Sequence, residues 1–237
     1  MSADGSGTCA AIVVAAGSGV RMGAGMPKAL MPVAGRALAA WCLDALDESD
    51  RIGSIVVVAP PARELELAHA LGLDASQVVT GGTSRAESVA CGLAAISGEV
   101  EFVLVHDAAR PLVHPGLIAA VIDGVRDADG AIAAAPMADT PKCVGEDFAI
   151  RETLGRTGLW LAQTPQVFRR RVLEDAFAHA RAADRLDLAT DCASMVEEIG
   201  GRVVVVASLR PNLKVTTPAD IHVAELLLGV THPDRVR

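Results

Sequence analysis

Aromatic residues are scarce in this sequence. Its 237 residues include two tryptophans, four phenylalanines and no tyrosine, so aromatic residues make up only 3% of the chain. Proteins that bind RNA or single-stranded DNA usually stack the bases on aromatic side chains. The composition therefore argues against that class of nucleic-acid-binding protein.

Positive charge is also in deficit. The chain carries 21 lysines and arginines against 29 aspartates and glutamates, which gives a formal net charge of −8 at pH 7. A domain that binds duplex nucleic acid normally carries an excess of basic residues. We therefore expect no nucleic-acid partner.

Cysteines are few and scattered, and long hydrophobic runs are missing. The five cysteines form no CxxC pair, so the sequence suggests neither a zinc site nor a disulfide framework. No apolar run reaches the roughly 18 residues that a membrane span requires. The first residues also lack the basic segment of a secretory signal. We expect a protein of the reducing cytoplasm with no membrane partner.

Short apolar runs and helical patterns alternate along most of the chain. The runs at 10–16 and 54–60 are rich in β-branched residues and typical of buried parallel strands, whereas 36–49 has apolar residues at helical spacing. Further strands are predicted at 77–82, 101–111, 130–137, 202–208 and 213–215, and further helices at 61–71, 84–96, 114–126, 169–183, 190–199 and 216–229. The pattern predicts a single α/β domain over 1–237, with a mostly parallel sheet and helices on both faces.

The alternation breaks at 138–167. Charged residues there alternate with β-forming residues, and three glycines punctuate the segment. This pattern predicts an antiparallel excursion from the sheet, such as a hairpin arm.

A glycine-rich loop with two cations follows the first predicted strand. Gly17 and Gly19 can let the backbone fold around a phosphate, and Arg21 and Lys28 add positive charge. The third position of a dinucleotide fingerprint is occupied by Met22, which disfavours a dinucleotide-dependent oxidoreductase. The lysine also lacks the preceding glycine of a P-loop. The loop therefore predicts a phosphate site of another kind.

Two more strand ends carry polar residues. The Gly81-Gly82 pair permits the close approach of a flat ligand, and Ser88 lies one turn into the next helix. Asp107 ends a buried strand, where a carboxylate can bind a metal–phosphate group or a ribose hydroxyl. The alternative for Asp107 is a helix cap or an ion pair with Arg110.

The remaining candidates are mostly cations and hydroxyl groups. Lys214 interrupts an apolar stretch and faces either solvent or a site; the others are Asp139, Thr140, Lys142, Arg156, Thr190 and Asp191. No GxSxG nucleophile motif is present. Cations with one carboxylate are typical of phosphoryl or nucleotidyl transfer, where positioning and charge stabilisation perform most of the catalysis. The residues by themselves predict a phosphate-handling α/β enzyme and name no substrate.

An ordered set of motifs between residues 10 and 228 carries a resemblance. The motifs are AAGSGVRM with PK, GGTSRAESV, VHDAARP, DTPK, GLWLAQTPQ, ATDCAS and LKVTTPAD. In this order they resemble the 2-C-methyl-D-erythritol 4-phosphate cytidylyltransferase family. The resemblance implies a Rossmann-like nucleotidyltransferase fold. It also implies transfer of CMP from CTP to methylerythritol 4-phosphate, with release of pyrophosphate, in non-mevalonate isoprenoid synthesis.

The resemblance also implies roles for individual residues. Arg21 and Lys28 would stabilise the charge that grows on the α-phosphate. The cytosine and phosphates would be bound by Ala15, Ala16, Gly17, Gly19, Gly82 and Ser88. The ribose and a Mg²⁺–triphosphate would be met by Asp107 and Ala108. The acceptor would be bound by Thr140, Arg156, Thr190 and Lys214, of which Arg156 and Lys214 would aim its phosphate.

The family resemblance further implies a homodimer. The arm at 138–160 would embrace the partner, so that Thr140 and Arg156 would serve the partner's active site. Cys192 departs from the family, which commonly has an acidic residue there. Two alternatives remain: a ribitol-5-phosphate cytidylyltransferase, and a non-catalytic nucleotide-binding regulator, which would be expected to lose the catalytic cations.

Overall fold

The computed structural model describes residues 9–17, 19 and 25–231. Its strands are β1 Cys9–Val14, β2 Pro32–Val33, β3 Arg36–Ala37, β4 Ile52–Ala59, β5 Val78–Thr80, β6 Phe102–Asp107, β7 Gly130–Pro136, β8 Lys142–Val144, β9 Ile150–Thr153, β10 Trp160–Arg169 and β11 Val203–Ala207. Its α-helices are α1 Leu38–Asp47, α2 Glu64–Leu71, α3 Arg85–Ala95, α4 Pro115–Gly124, α5 Arg170–Ala182, α6 Cys192–Glu198 and α7 Pro218–Thr231. The predicted α/β alternation is confirmed.

Seven strands form the central sheet, in the order β11-β7-β10-β6-β1-β4-β5. All neighbouring pairs are parallel except the two that involve β10, which runs antiparallel to both β6 and β7. The mostly parallel sheet predicted from the sequence is therefore confirmed. The carboxyl ends of β1, β4 and β6 lie side by side, which is where ligands bind in such sheets.

Both faces of the sheet are buried under helices. Side chains of a strand alternate between the two faces, so Ala11 and Val13 of β1 pack in one apolar cluster, whereas Ala10 and Ile12 pack in the other. The first cluster also contains residues of α1, α2 and α4. The second contains residues of α3, α5 and α6. Burial on both faces explains why the strands consist of nearly continuous apolar runs.

The C-terminal region differs from the prediction in two places. No strand forms at 213–215; instead the N–H of Val215 donates to the carbonyl of Ala109 (2.8 Å), which joins this loop to the loop after β6. The predicted stop at Gly229 is also wrong, because α7 continues to Thr231. Glycine in a helix interior costs only about 1 kcal/mol relative to alanine, which does not by itself end a helix.

The segment after β7 departs from the sheet and then returns to it. Strands β8 and β9 form a separate antiparallel pair in which every residue is exposed. The prediction of an excursion over 138–167 extends too far, because β10 lies inside the main sheet, between β7 and β6. Buried residues such as Val167 and Phe168 explain its place there.

No helix in the described ranges has the length and apolar character needed to cross a membrane.

Candidate active site

A cavity of about 470 Å³ opens beyond the carboxyl ends of β1 and β6. It brings together most of the residues selected from the sequence: Ala15, Ala16, Gly17, Gly19, Lys28, Gly82, Ser88, Asp107, Ala108 and Lys214. Thr83, Ser84, Arg85 and Thr216 also line it. The described lining holds three cations, from Lys28, Arg85 and Lys214, against one carboxylate. This balance suits a polyanionic ligand.

The loop after β1 is folded back on itself at the cavity edge. The N–H of Lys28 donates to the carbonyl of Gly17 (3.3 Å), which closes the loop. Gly19 has a φ of +66°, and a Cβ there would lie 3.2 Å from the carbonyl oxygen of Met26. Glycine at this position is thus required by the backbone conformation and by the close approach. Arg21 lies outside the described residues.

The turn before α3 lies close to the loop after β1. A Cβ on Gly81 would come within 2.8 Å of both the Ala16 Cβ and the Ser88 Oγ, so glycine is needed for this contact. Ser84 caps α3 by accepting from the N–H of Glu87 (3.1 Å), and the Ser88 hydroxyl donates to the Ser84 carbonyl (2.8 Å). The helix predicted over 84–96 is confirmed, with Ser84 as its N-terminal cap. The turn and the first helical residues therefore form one fixed wall of the cavity.

Asp107, the last residue of β6, lies between two cations. The Nε–H of Arg85 donates to its Oδ1 (3.0 Å), and the Lys214 ammonium contacts its Oδ2 (2.7 Å). The Asp107 side chain is 9% exposed, against 40% for that of Lys214. A buried carboxylate is strongly destabilised unless it is paired, and here each oxygen has its own cation.

The protonation states follow from these contacts. Burial acts to raise the pKa of Asp107, but the charges of Arg85 and Lys214 outweigh it and hold that pKa well below its usual range. Burial raises the pKa of the Cys192 thiol to about 11, so this neighbour of Arg85 is neutral at physiological pH. Among the described residues that line the cavity, Asp107 therefore supplies the negative charge.

His106 fixes the backbone on the buried side of Asp107. Since a carbonyl only accepts, the 3.2 Å contact with the Arg110 carbonyl places the proton of His106 on Nε2. Its Nδ1 then accepts from the Thr164 hydroxyl (3.2 Å), which itself accepts from the N–H of Asp107 (3.0 Å). Burial lowers the pKa of His106 to about 4, in agreement with a neutral ring. The ring is packed and structural, and it does not line the cavity.

Three residues of the predicted acceptor-binding set do not line the cavity of their own chain. Thr140 and Arg156 are exposed in the segment between β7 and β10, where the Arg156 guanidinium donates to the carbonyl of Ala138 (2.6 Å). Thr190 is exposed and lines a second cavity, of about 390 Å³, beside α6. The predicted acceptor-binding set is therefore divided, with only Lys214 in the first cavity.

Arg85, which stands within the GGTSRAESV motif, lines the cavity but is not among the residues predicted above. It is the first residue of α3, immediately after the Ser84 cap, and its side chain is 27% exposed. A cation in the first helical turn after a glycine pair is the signal that could have identified it. Its pairing with Asp107 could not be found from spacing, since 22 residues separate the two.

Metal binding by protein side chains alone is not favoured in the described ranges. They contain no group of three or more His, Cys, Asp or Glu side chains that could bind a metal ion. Mg²⁺, however, is commonly bound by one or two carboxylates together with substrate phosphates. Asp107 fits such a shared site.

Comparisons with known proteins identify relatives over nearly the whole chain. The family model described as 2-C-methyl-D-erythritol 4-phosphate cytidylyltransferase (IspD) matches residues 9–230. A protein of that name from Frankia casuarinae is 43% identical, over 94% of this chain and 82% of its own length. Another, from Pelotomaculum thermopropionicum, is 39% identical, over 92% of this chain and 93% of its own.

Solved structures agree with the sequence relatives. The 4-diphosphocytidyl-2C-methyl-D-erythritol synthase structure from Anaerococcus prevotii superposes with a TM-score of 0.81 at 28% identity, covering 94% of this chain and 99% of that one. The 2-C-methyl-D-erythritol 4-phosphate cytidylyltransferase from Thermus thermophilus gives 0.77 at 33% identity, covering 92% and 98%.

Proposed function

Because the chain belongs to the 2-C-methyl-D-erythritol 4-phosphate cytidylyltransferase family, it catalyses CTP-dependent cytidylyl transfer to methylerythritol phosphate in isoprenoid synthesis, and we propose that the cavity between β1 and β6 is its active site. The observation that carries this proposal is the buried carboxylate of Asp107, which pairs with Arg85 and Lys214 in a cavity that Lys28 also lines. In this proposal, residues 1–237 act as one catalytic domain.

The nucleotide occupies the side of the cavity formed by the loop after β1 and the turn before α3. Backbone groups of Ala15, Ala16, Gly17, Gly19 and Gly82, with the Ser88 side chain, contact the cytosine and the phosphates. Gly81 lets the turn before α3 approach Ala16 closely, and this contact fixes the two walls against each other. Asp107 and Ala108 contact the ribose and the triphosphate.

The acceptor's phosphate oxygen attacks the α-phosphorus of CTP. A new P–O bond forms there as the bond to the β-phosphate bridging oxygen breaks, and the electron pair leaves with pyrophosphate. Lys28, together with Arg21, stabilises the negative charge that grows on the α-phosphate, while Lys214 offsets the repulsion between the two anions. Holding both reactants in line makes the attack effectively unimolecular.

Mg²⁺ would bind together with the triphosphate. Asp107 is the residue that would hold it, shared with phosphate oxygens, and its carboxylate stays ionised between its two cations. When bound, the ion would neutralise phosphate charge and favour departure of pyrophosphate.

The acceptor site is completed by a second copy of the chain. Thr140 and Arg156 are exposed and do not line the cavity of their own chain, so they serve the partner's cavity in a homodimer formed through 138–160. Exposed apolar side chains on this segment, Val144, Phe148 and Ile150, supply surface for such an interface. Thr190 contacts the acceptor from the second cavity. The enzyme acts in the cytoplasm.

The experiment that tests the function is pyrophosphate release from CTP and Mg²⁺, with methylerythritol 4-phosphate in one reaction and ribitol 5-phosphate in a parallel one. We expect release with the first acceptor alone. Release with ribitol 5-phosphate alone would retain the CTP-binding half of the cavity and refute the acceptor assignment. A reaction from which Mg²⁺ is omitted provides the background rate.

A further inference from the structure

Arg85 lines the cavity, but none of the roles assigned above belongs to it. Its Nε–H donates to Oδ1 of Asp107 (3.0 Å), while the Lys214 ammonium contacts Oδ2 (2.7 Å). One cation on each oxygen prevents the carboxylate from turning about its Cβ–Cγ bond. The backbone of Asp107 is fixed as well, since its N–H donates to the Thr164 hydroxyl (3.0 Å).

The guanidinium of Arg85 is committed to this one carboxylate. Its other described contact is the Sγ of Cys192 (3.8 Å), a weak acceptor that is neutral at physiological pH. Within the described residues, Asp107 is the one carboxylate that pairs with Arg85. Ser84 caps α3 and thereby fixes the backbone from which Arg85 extends.

We propose that Arg85 is a positioning residue that acts through Asp107 to set the place of the Lys214 ammonium. With Oδ1 held by Arg85, only Oδ2 is available to Lys214, whose remaining N–H donors can then face the acceptor phosphate. Without Arg85, both oxygens can turn towards the ammonium and draw it away from the substrate. This inference rests on the proposed roles of Asp107 and Lys214.

A double-mutant cycle separates action through Asp107 from direct contact with the substrate. Four enzymes are compared by kcat and KM for both substrates: the parent, Arg85→Met, Asp107→Asn and the double variant. We expect Arg85→Met to lower kcat/KM about 10²-fold, since a misplaced catalytic group has an effect of that size. In the Asp107→Asn background the same change should alter kcat/KM by no more than about twofold, because its target is already gone.

Independent losses that multiply in the double variant would overturn the inference, since Arg85 would then contact the substrate itself. Unchanged activity of Arg85→Met would overturn it too. The proposed function fails separately: near-normal turnover of Asp107→Asn would remove Asp107 from the site, whatever Arg85 does.

Two further variants distinguish positioning from general support of the fold. Arg85→Lys keeps the positive charge and should recover part of the lost kcat, although an ammonium cannot reproduce the guanidinium geometry. Cys192→Ser preserves a neutral side chain beside Arg85 and should retain the parent kinetics. Thermal unfolding of every variant is followed, and a loss of kcat/KM that tracked the melting temperature across the set would overturn the positioning role.

Discussion

Lys28 is a cation at the end of the glycine-rich loop, and its backbone N–H closes that loop on the carbonyl of Gly17. If its ammonium stabilises charge on the α-phosphate, Lys28→Ala should lower kcat about 10²- to 10³-fold, the usual effect of losing one such group. Steady-state pyrophosphate release measures this loss, and thermal unfolding should show an intact fold. Arg171→Ala, which removes an exposed cation from α5, is the matched control and should retain the parent rate.

His114 links the stability of α4 to pH. Its Nδ1 accepts from the N–H of Leu117 (3.1 Å), which caps the helix, and a protonated ring could not accept this bond. Burial, with a smaller contribution from the charge of Arg210, lowers the pKa of His114 below its ordinary value of 6.5. As the pH falls below 6.5, His114 therefore binds a proton more readily in the unfolded chain than in the folded chain. The free energy of unfolding decreases as a result.

The expected loss at His114 between pH 7.5 and pH 5.5 is at most about 1.4 kcal/mol, since one group with an unfolded pKa of 6.5 can contribute no more than about one pKa unit over that range. Denaturant unfolding at pH 7.5 and pH 5.5 measures it, with His114→Asn as the comparison, because asparagine caps a helix without titrating. The parent should lose more free energy of unfolding than His114→Asn between the two pH values. His106 also favours the neutral form and contributes equally to both proteins. Equal losses in the two would contradict the role of His114.

At the scale of the element, α3 carries both Ser88 and Arg85 to the cavity, and it packs closely on the sheet at Gly92. A Cβ on Gly92 would lie 2.5 Å from the Ile12 Cγ2 and 2.9 Å from the Val58 Cγ2, too close for either side chain to accommodate without movement. We expect Gly92→Ala to lower the free energy of unfolding by about 1–3 kcal/mol through overpacking.

Because α3 must shift to relieve that contact, Gly92→Ala should also lower kcat/KM, although the residue itself does not line the cavity. Denaturant unfolding and steady-state kinetics are measured on the same preparations. Cys91→Ala, in the same helical turn but only partly buried, is the control and should change both quantities less. A stable, fully active Gly92→Ala enzyme would show that the helix position is not set by this contact.

Elements that bury a regular apolar pattern could be predicted from the sequence, whereas those placed by distant pairing could not. The strand before Gly17 and the start of α3 depend on local residues, and the sequence predicts both. The place of β10 depends on its hydrogen bonds with β6 and β7, which no local pattern encodes. The same distinction holds in the cavity. The position of Asp107 at a strand end can be predicted from local sequence, whereas its pairing with Arg85 depends on the tertiary fold.

At the scale of the whole molecule, the proposed homodimer makes a quantitative prediction. If Arg156 serves the partner's cavity, Lys28→Ala and Arg156→Ala each disable every site in their own homodimers. Mixed and refolded in equal amounts, the two variants form mixed dimers in half of the population, with one intact site in two. Activity should then recover to about a quarter of the parent value.

The recovery is measured by pyrophosphate release after mixing, beside each variant treated alone. Sedimentation of the parent enzyme reports whether dimers form. If mixing restored nothing although dimers exchanged, Arg156 would not act across the interface.

The central place of β10 has a consequence for how the chain is made. Among the described strands, β6 and β7 do not pair with each other, and β10 joins the group β5, β4, β1 and β6 to the pair β7 and β11. The edges of β6 and β7 that face β10 therefore remain without their native partner until residue 169 has been synthesised. Unpaired edges are templates for association between chains. The interval between synthesis of β7 and of β10 is the period in which a nascent chain most needs protection by chaperones.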